Sequence, residues 1–212
     1  MDLVLHGYWR STASYRVRIA MNLKGLDYQQ ISHDLRTGAQ SAETYRALNP
    51  QALVPALVVD GTPLTQSPAI LEWLEDRFPT PALLPVDPQA RAIVRAMMNL
   101  ICCDIHPLNN LRILSALRGD LAATEAQVSA WMTRWISDGF NALDQQIARH
   151  GRGFAYGDRP TLADCCLVPQ VYSAERFGVS LTDFPAIRAC VETCRQIDLF
   201  QRASPAVQPD AD

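Results

Sequence analysis

The sequence predicts an α/β domain followed by an all-helical one. Three observations carry that reading. The first eighty residues alternate strand-like and helix-like apolar runs; "PTPALLPVDP" (79–88) packs four prolines into one short stretch; and beyond it every apolar pattern has helical period. Residues 1–80 form the α/β domain, 81–88 a linker, 89–203 the helical domain and 204–212, "SPAVQPDAD", a flexible tail.

Leu3 to Tyr8 is an apolar strand. Ser14 then opens a helix as N-cap over Tyr15, Val17, Ile19, Ala20 and Leu23, and Gly25 closes it. Tyr28 to Leu35 is extended, and Ala42 to Leu48 is a short helix stopped by Asn49 and Pro50. "VPALVVDGTPLT" is a hairpin: a strand over Pro55 to Val59, an Asp60-Gly61 turn, and a strand over Pro63 to Thr65. "QSPAILEWLEDRF" is a helix with Ser67 as N-cap and Pro68 at its first position. The order βαβαββα implies a mixed sheet faced by helices. Amphipathic runs then cover Gln89 to Leu117, kinked at Pro107, and Glu125 to His150, Leu162 to Phe177 and Pro185 to Arg195. Thr161 and Asp164 fit a capping box.

The 212 residues are 48% hydrophobic and 19% charged, enough chain for one large domain or two smaller ones. A net charge of -3 offers no electrostatic footprint for nucleic acid. No apolar run is long enough to span a bilayer, and "MDLVLHGYWR" is acidic where a secretory signal would be basic, so a cytoplasmic protein is expected. The six cysteines, Cys102, Cys103, Cys165, Cys166, Cys190 and Cys194, make no C-x-x-C motif. Cys190 and Cys194 lie one helical turn apart, but no histidine stands at ligand spacing. Core packing of reduced thiols is expected, and no metal site.

Four stretches carry candidate chemistry. In "YWRSTASYRVRIA", a strand-to-helix junction gathers Arg10, Ser11, Thr12 and Ser14; its backbone N–H groups and positive dipole end suit an anion. An N-cap explains only one of those hydroxyls. In "LVP", Pro55 removes a ladder donor at a strand start and leaves the preceding backbone available to pair elsewhere. "TQSPAI" is a second helix N-terminus, where Gln66 and Ser67 serve either as a plain cap or as a carboxylate site. "DIHPLNNLRIL" crowds Asp104, His106, Asn110 and Arg112 around a kink; a lone histidine there is more often a packed or surface residue than a functional one. Arg176, beside Glu175 at a helix end, can simply complement the dipole.

Taken together and in order, "RSTAS-x-RVRIA", "LNPQALVPALVVDG", "TQSPAILEWLE", "HPLNNLR" and "TLADCCLVPQVYSAERFGV" resemble the zeta class of glutathione transferases over about residues 1–200, and especially its bacterial maleylpyruvate and maleylacetoacetate isomerases. The resemblance implies a thioredoxin-like N-terminal domain, a helical C-terminal domain, a homodimer, and glutathione as cofactor at the domain cleft. It places Ser11 and Thr12 at the glutathione sulfur, with the N–H groups of Ala13 and Ser14 facing it and Arg10 assisting. Val54, before a cis Pro55, pairs with the cysteine backbone of glutathione, Gln66 and Ser67 take its γ-glutamyl carboxylate, and Gln40 contacts the tripeptide. His106 and Asn110 fall at glutathione and substrate, and Arg112 and Arg176 at the carboxylates of a small dicarboxylic cis-enedione. Where many zeta members carry cysteine in "SSCS", this chain has Ala13, so no protein thiol is available there.

The implied reaction is isomerisation of maleylpyruvate to fumarylpyruvate by reversible thiolate addition. Maleylacetoacetate isomerisation, general glutathione transfer and a catalytically silent binding protein are the alternatives.

Overall fold

The structure, a computed structural model, describes residues 1–212. At its N-terminal end β1 (Leu3–Gly7), β2 (Gln29–Ser32), β3 (Ala56–Val59) and β4 (Thr62–Thr65) form one sheet ordered β2-β1-β3-β4. β2 runs parallel to β1, with Gly7 opposite Ser32; β3 is antiparallel to β1, and β4 to β3. The interior strands β1 and β3 are rich in Leu and Val, as strands covered on both faces must be. The exposed "QQIS" of β2 suits an edge, and so does Pro63, which cannot donate to a ladder. Asp60 and Gly61 both have positive φ, the signature of the tight hairpin turn between β3 and β4.

The helices of this part are α1 (Thr12–Leu23), α2 (Glu43–Arg46) and α3 (Ser67–Arg77). α1 packs close over the end of β1 because Gly7 has no side chain: a Cβ there would meet Ser14 Oγ at 3.1 Å. Lys24, with a side chain 0% exposed, ties α1 to the end of α3. Its Nζ donates at 2.6 Å to Glu75, to the Phe78 carbonyl and to the Pro81 carbonyl.

Beyond Leu83 the chain is helical: α4 (Pro88–Asn99), α5 (Leu111–Gly119), α6 (Glu125–His150), α7 (Leu162–Arg176), α8 (Pro185–Arg195) and the one-turn α9 (Asp198–Gln201). Thr161 and Asp164 form the expected capping box of α7, and Thr124 with Gln127 forms another on α6. No helix is long and apolar enough to cross a membrane.

Four expectations need correction. Ser11, not Ser14, is the N-cap of α1: it is extended (φ -68, ψ 118) and its Oγ accepts the Ser14 N–H at 3.2 Å, which leaves Ser14 buried inside the first turn. Ser67 is likewise the first residue of α3 rather than its cap; Gln66 holds the cap position, and the Ser67 hydroxyl accepts from buried Arg16 Nη1 at 3.2 Å. The run Gln89 to Leu117 is not one kinked helix. After α4 it passes through a π-helical turn (Leu100–Ile105) and a 3₁₀ turn (His106–Asn109) before Asn110 caps α5. Pro107, which lacks an N–H, cannot continue the α-helical ladder.

The fourth concerns the C-terminus. The chain divides into two compact units, Met1–Leu83 with Arg195–Asp212, and Leu84–Cys194. Residues 204–212 are thus no loose tail, and 195–203 do not belong to the helical unit. Ala203 is fully buried, the Arg18 Nε–H bonds its carbonyl at 3.0 Å, and Asn22 donates to the Leu199 carbonyl at 3.0 Å. Such polar anchors, contributed by α1, are invisible to composition.

Candidate active site

In the first unit, the candidate residues gather around two helix N-termini. The turn from β1 into α1 is closed by the Ser11 N–H on the Tyr8 carbonyl at 3.0 Å, and the Tyr15 N–H bonds the Ser11 carbonyl at 2.9 Å. No acidic residue lies in the first turn of α1. The positive end of its dipole is therefore not offset by a carboxylate from its own first turn, as an anion site requires. Thr12 and Ala13, both buried, are the first two helical residues. Arg10 stacks its guanidinium over the Trp9 ring, 5.0 Å from the centroid.

Val54 precedes a cis bond to Pro55. It lies outside β3, and its backbone N–H and carbonyl pair with nothing in the protein. What holds this loop is the preceding carbonyl: Leu53 O accepts from Tyr45 Oη at 2.7 Å and from Asn49 Nδ2 at 2.6 Å. Tyr45 is buried, and burial pushes its hydroxyl up to about 12, so it stays a donor at any physiological pH. Asn49 Oδ1 also accepts the Gln51 N–H at 3.1 Å, and Gln51 Oε1 accepts from Gln66 Nε2 at 2.6 Å. One hydrogen-bonded chain thus links the Val54 loop to Gln66, which sits at φ 68. Through Ser67, Arg16 joins α1 to the same helix start. The Gln40 side-chain Oε1 is buried without a partner, an acceptor that a ligand N–H would satisfy.

Under this loop lie His6 and His33, with Nδ1 and Nε2 at 3.0 Å, and Tyr45 packs against the His33 ring at 4.2 Å between centroids. Sequence reading passed over Tyr45, Asn49, His6 and His33. Asn49 was legible only as a helix breaker.

In the helical unit, His106 opens the 3₁₀ turn, and Asn110 caps α5 by accepting the Arg112 N–H at 3.2 Å, with Arg112 exposed. The turn is braced by Asn109 Nδ2 on the Ile105 carbonyl at 2.9 Å and by Trp131 Nε1 on the Leu108 carbonyl at 2.8 Å. Arg176 ends α7 with its guanidinium 4.6 Å from the Phe177 ring centroid.

Asp164, Cys190 and Cys194 form a buried cluster of metal-capable groups, all within 4.8 Å. Their geometry is that of a capping network. Asp164 Oδ1 accepts from Cys190 Sγ at 3.3 Å, Cys194 Sγ at 3.8 Å and the Ala155 N–H at 2.7 Å, and Oδ2 accepts from the Thr161 N–H and hydroxyl at 2.8 Å. The bond with Cys194, burial and the Asp164 charge together push the Cys190 thiol far up, so it serves as a proton donor.

With this geometry in place, the family comparison is direct. The glutathione S-transferase N-terminal domain matches residues 10–77 and the glutathione S-transferase C-terminal domain matches residues 122–189. The chain belongs to the glutathione S-transferase family. It is 51% identical to a maleylpyruvate isomerase of Ralstonia sp over 98% of this chain and 99% of that one. It is 50% identical to a maleylacetoacetate isomerase of Pseudomonas aeruginosa over 97% of each. A holo structure of maleylpyruvate isomerase, a bacterial glutathione S-transferase in the zeta class, superposes with a TM-score of 0.97 at 50% identity, covering 99% of this chain and 100% of the other.

Proposed function

We propose that this protein is a glutathione-dependent cis–trans isomerase that converts maleylpyruvate to fumarylpyruvate. The observation that carries the reading is the start of α1: a Ser11-capped helix with a hydroxyl pair at its mouth and no acid in its first turn. Such a terminus stabilises a thiolate. A thiol of pKa about 8.5 is mostly protonated at neutral pH, and lowering it by about two units takes roughly 2.7 kcal/mol. One charge-assisted hydroxyl bond and a helix terminus together supply that order of energy.

Thr12 and Ser11 donate to the sulfur, with the N–H group of Ala13 behind them, the Ser14 N–H being taken by Ser11 Oγ. The unpaired Val54 backbone takes the glutathione cysteine, Gln66 and Ser67 take the γ-glutamyl carboxylate, and Gln40 accepts from the tripeptide. His106 and Asn110 contribute from the helical unit, and Arg10, Arg112 and Arg176 hold the substrate carboxylates. The thiolate adds to one alkene carbon, and the π pair moves through the conjugated carbonyl onto its oxygen as an enolate. The former double bond, now single, rotates; the enolate collapses and expels the thiolate. Glutathione is regenerated and no external proton is required. Fixed arginine charge favours the enolate, as in oxyanion stabilisation.

Maleylacetoacetate is the second substrate reading, favoured by the 50% identity to a maleylacetoacetate isomerase. The two substrates differ by one CH₂, about 0.8 kcal/mol of burial. The setting we propose is a cytoplasmic homodimer in aromatic-acid degradation through gentisate, with neither nucleic acid nor membrane as partner.

The test follows maleylpyruvate absorbance and total free thiol together at catalytic glutathione. Loss of the cis substrate at constant thiol is expected. Stoichiometric thiol loss would identify a conjugating transferase, and turnover without glutathione would remove the mechanism. A preference of about a hundredfold for maleylacetoacetate, or some 2.7 kcal/mol, would overturn the substrate alone.

A further inference from the structure

The C-terminal segment carries a carboxylate into the turn that leads to α1. Asp210 Oδ2 accepts the Trp9 backbone N–H at 3.0 Å and also the Ser32 hydroxyl. In the parallel β1–β2 ladder the His33 N–H bonds the Gly7 carbonyl at 2.8 Å, and β2 ends at Ser32. A parallel ladder would next offer an acceptor from β2 to the Trp9 N–H. Asp210 supplies that acceptor instead.

The other side of the same turn is held from the same segment. Arg18, buried, donates from Nη2 to the Trp9 carbonyl at 2.9 Å and from Nη1 to the Tyr8 carbonyl at 3.5 Å, while its Nε–H bonds Ala203 O at 3.0 Å. Between Ala203 and Asp210 the chain is pinned by Gln208. Its Nε2 donates to the Arg202 and Ser204 carbonyls at 3.0 and 2.8 Å, and its Oε1 accepts from Gln30 at 3.2 Å. Asp210 is therefore delivered by a formed loop. The Tyr8 carbonyl in turn receives the Ser11 N–H, so the grip on Trp9 is two residues from the cap that opens α1.

We propose that Asp210 is a positioning residue: by fixing the Trp9 N–H it sets the Tyr8–Ser11 turn, and with it the placement of the Ser11 and Thr12 hydroxyls at the glutathione sulfur. This rests on the reading of α1 as the thiolate site. In this role Asp210 acts through the Trp9 N–H rather than on the reacting atoms.

The experiment compares Asp210→Ala with Asp210→Asn in the full chain, reading the thiolate absorbance of bound glutathione against pH together with kcat and KM. Asp210→Ala leaves the Trp9 N–H without its acceptor. It should move the thiolate midpoint up by about half a pH unit or more and lower kcat/KM by about tenfold, the scale of one charge-assisted bond. Asp210→Asn keeps an oxygen for that N–H and should stay within about twofold of the parent. A parental pH midpoint and kcat/KM in Asp210→Ala would overturn the proposal, as would an Asn variant as impaired as the Ala one. If Asp210→Ala does not fold, Ser32→Ala decides: loosening the other anchor of Asp210 should move the midpoint the same way by less, and no movement overturns the proposal. Ser11→Ala and Thr12→Ala run alongside. If those also leave the midpoint unchanged, the thiolate-site reading itself fails; if they move it and Asp210→Ala does not, only the positioning role falls.

Discussion

Ser11 accepts the Ser14 N–H at 3.2 Å through the same hydroxyl that stands at the mouth of α1. The oxygen is engaged as an acceptor, and its proton is still available for a donor bond. Ser11 and Thr12 therefore differ in what their loss should do. Ser11→Ala removes a cap worth about 1 kcal/mol and should lower the melting temperature as well as turnover. Thr12→Ala removes no cap and should lower turnover and raise the pH midpoint of the acid limb. Melting curves and pH–rate profiles of both variants check this; a Thr12→Ala enzyme with parental rate and profile would remove Thr12 from the sulfur.

Lys24 is a buried cation with three close acceptors. Its ammonium meets Glu75 Oε2 and two carbonyls at 2.6 Å, and the same Glu75 oxygen accepts the Leu83 N–H at 2.9 Å. Lys24→Met removes the ammonium paired with a buried carboxylate and should cost about 3–5 kcal/mol, read as a lower urea midpoint. Lys24→Met with Glu75→Gln should recover part of that loss, because the buried negative charge is then gone.

Acid should weaken the fold through the His6–His33 pair. Burial, and secondarily the charge of His33, holds the His6 pKa below its ordinary value, and burial lowers that of His33. A depressed histidine binds its proton more readily once unfolded. The stability it supplies is thus fully present above about pH 6.5 and is lost as the pH falls from there through the folded value. Melting temperature should drop between about pH 7.5 and 5.5, and His33→Phe, which keeps a ring against Tyr45 without titrating, should flatten the drop.

Gly139 on α6 lies against the π-helical turn. A Cβ there would stand 2.3 Å from Ile105 Cγ1 and 2.4 Å from Cδ1, in a side chain that is fully buried. Gly139→Ala should therefore destabilise by about 1–3 kcal/mol. Because Ile105 immediately precedes His106, KM for the substrate should rise as well. Combining it with Ile105→Val should restore part of both; a singly substituted enzyme with parental melting and KM would show that the turn yields freely.

The two-part architecture was written in the sequence, because period and punctuation are local properties. Strand-like runs and the Asp60-Gly61 turn each act over a few residues; β1, β2 and β3 lie within the runs they mark, and β4 starts at Thr62, just before its own. The cap of α1 was less legible. Ser11, Thr12 and Ser14 are all acceptable helix-start residues, and only the backbone path from β1 decides which one is extended.

The sequence by itself determined that hydroxyls stand at a strand-to-helix junction, that Val54 precedes a proline, and that Gln66 and Ser67 begin a helix. Tertiary structure alone decided what holds them in place. Tyr45 and Asn49 meet on the Leu53 carbonyl, Arg16 reaches Ser67 across 51 positions, and Asp210 reaches Trp9 across 201. Hydrogen bonds of that separation leave no periodicity for a sequence reading to detect. They form because buried or half-buried backbone groups must find acceptors and donors wherever the fold brings them, and the chain that satisfies them can lie anywhere along its length.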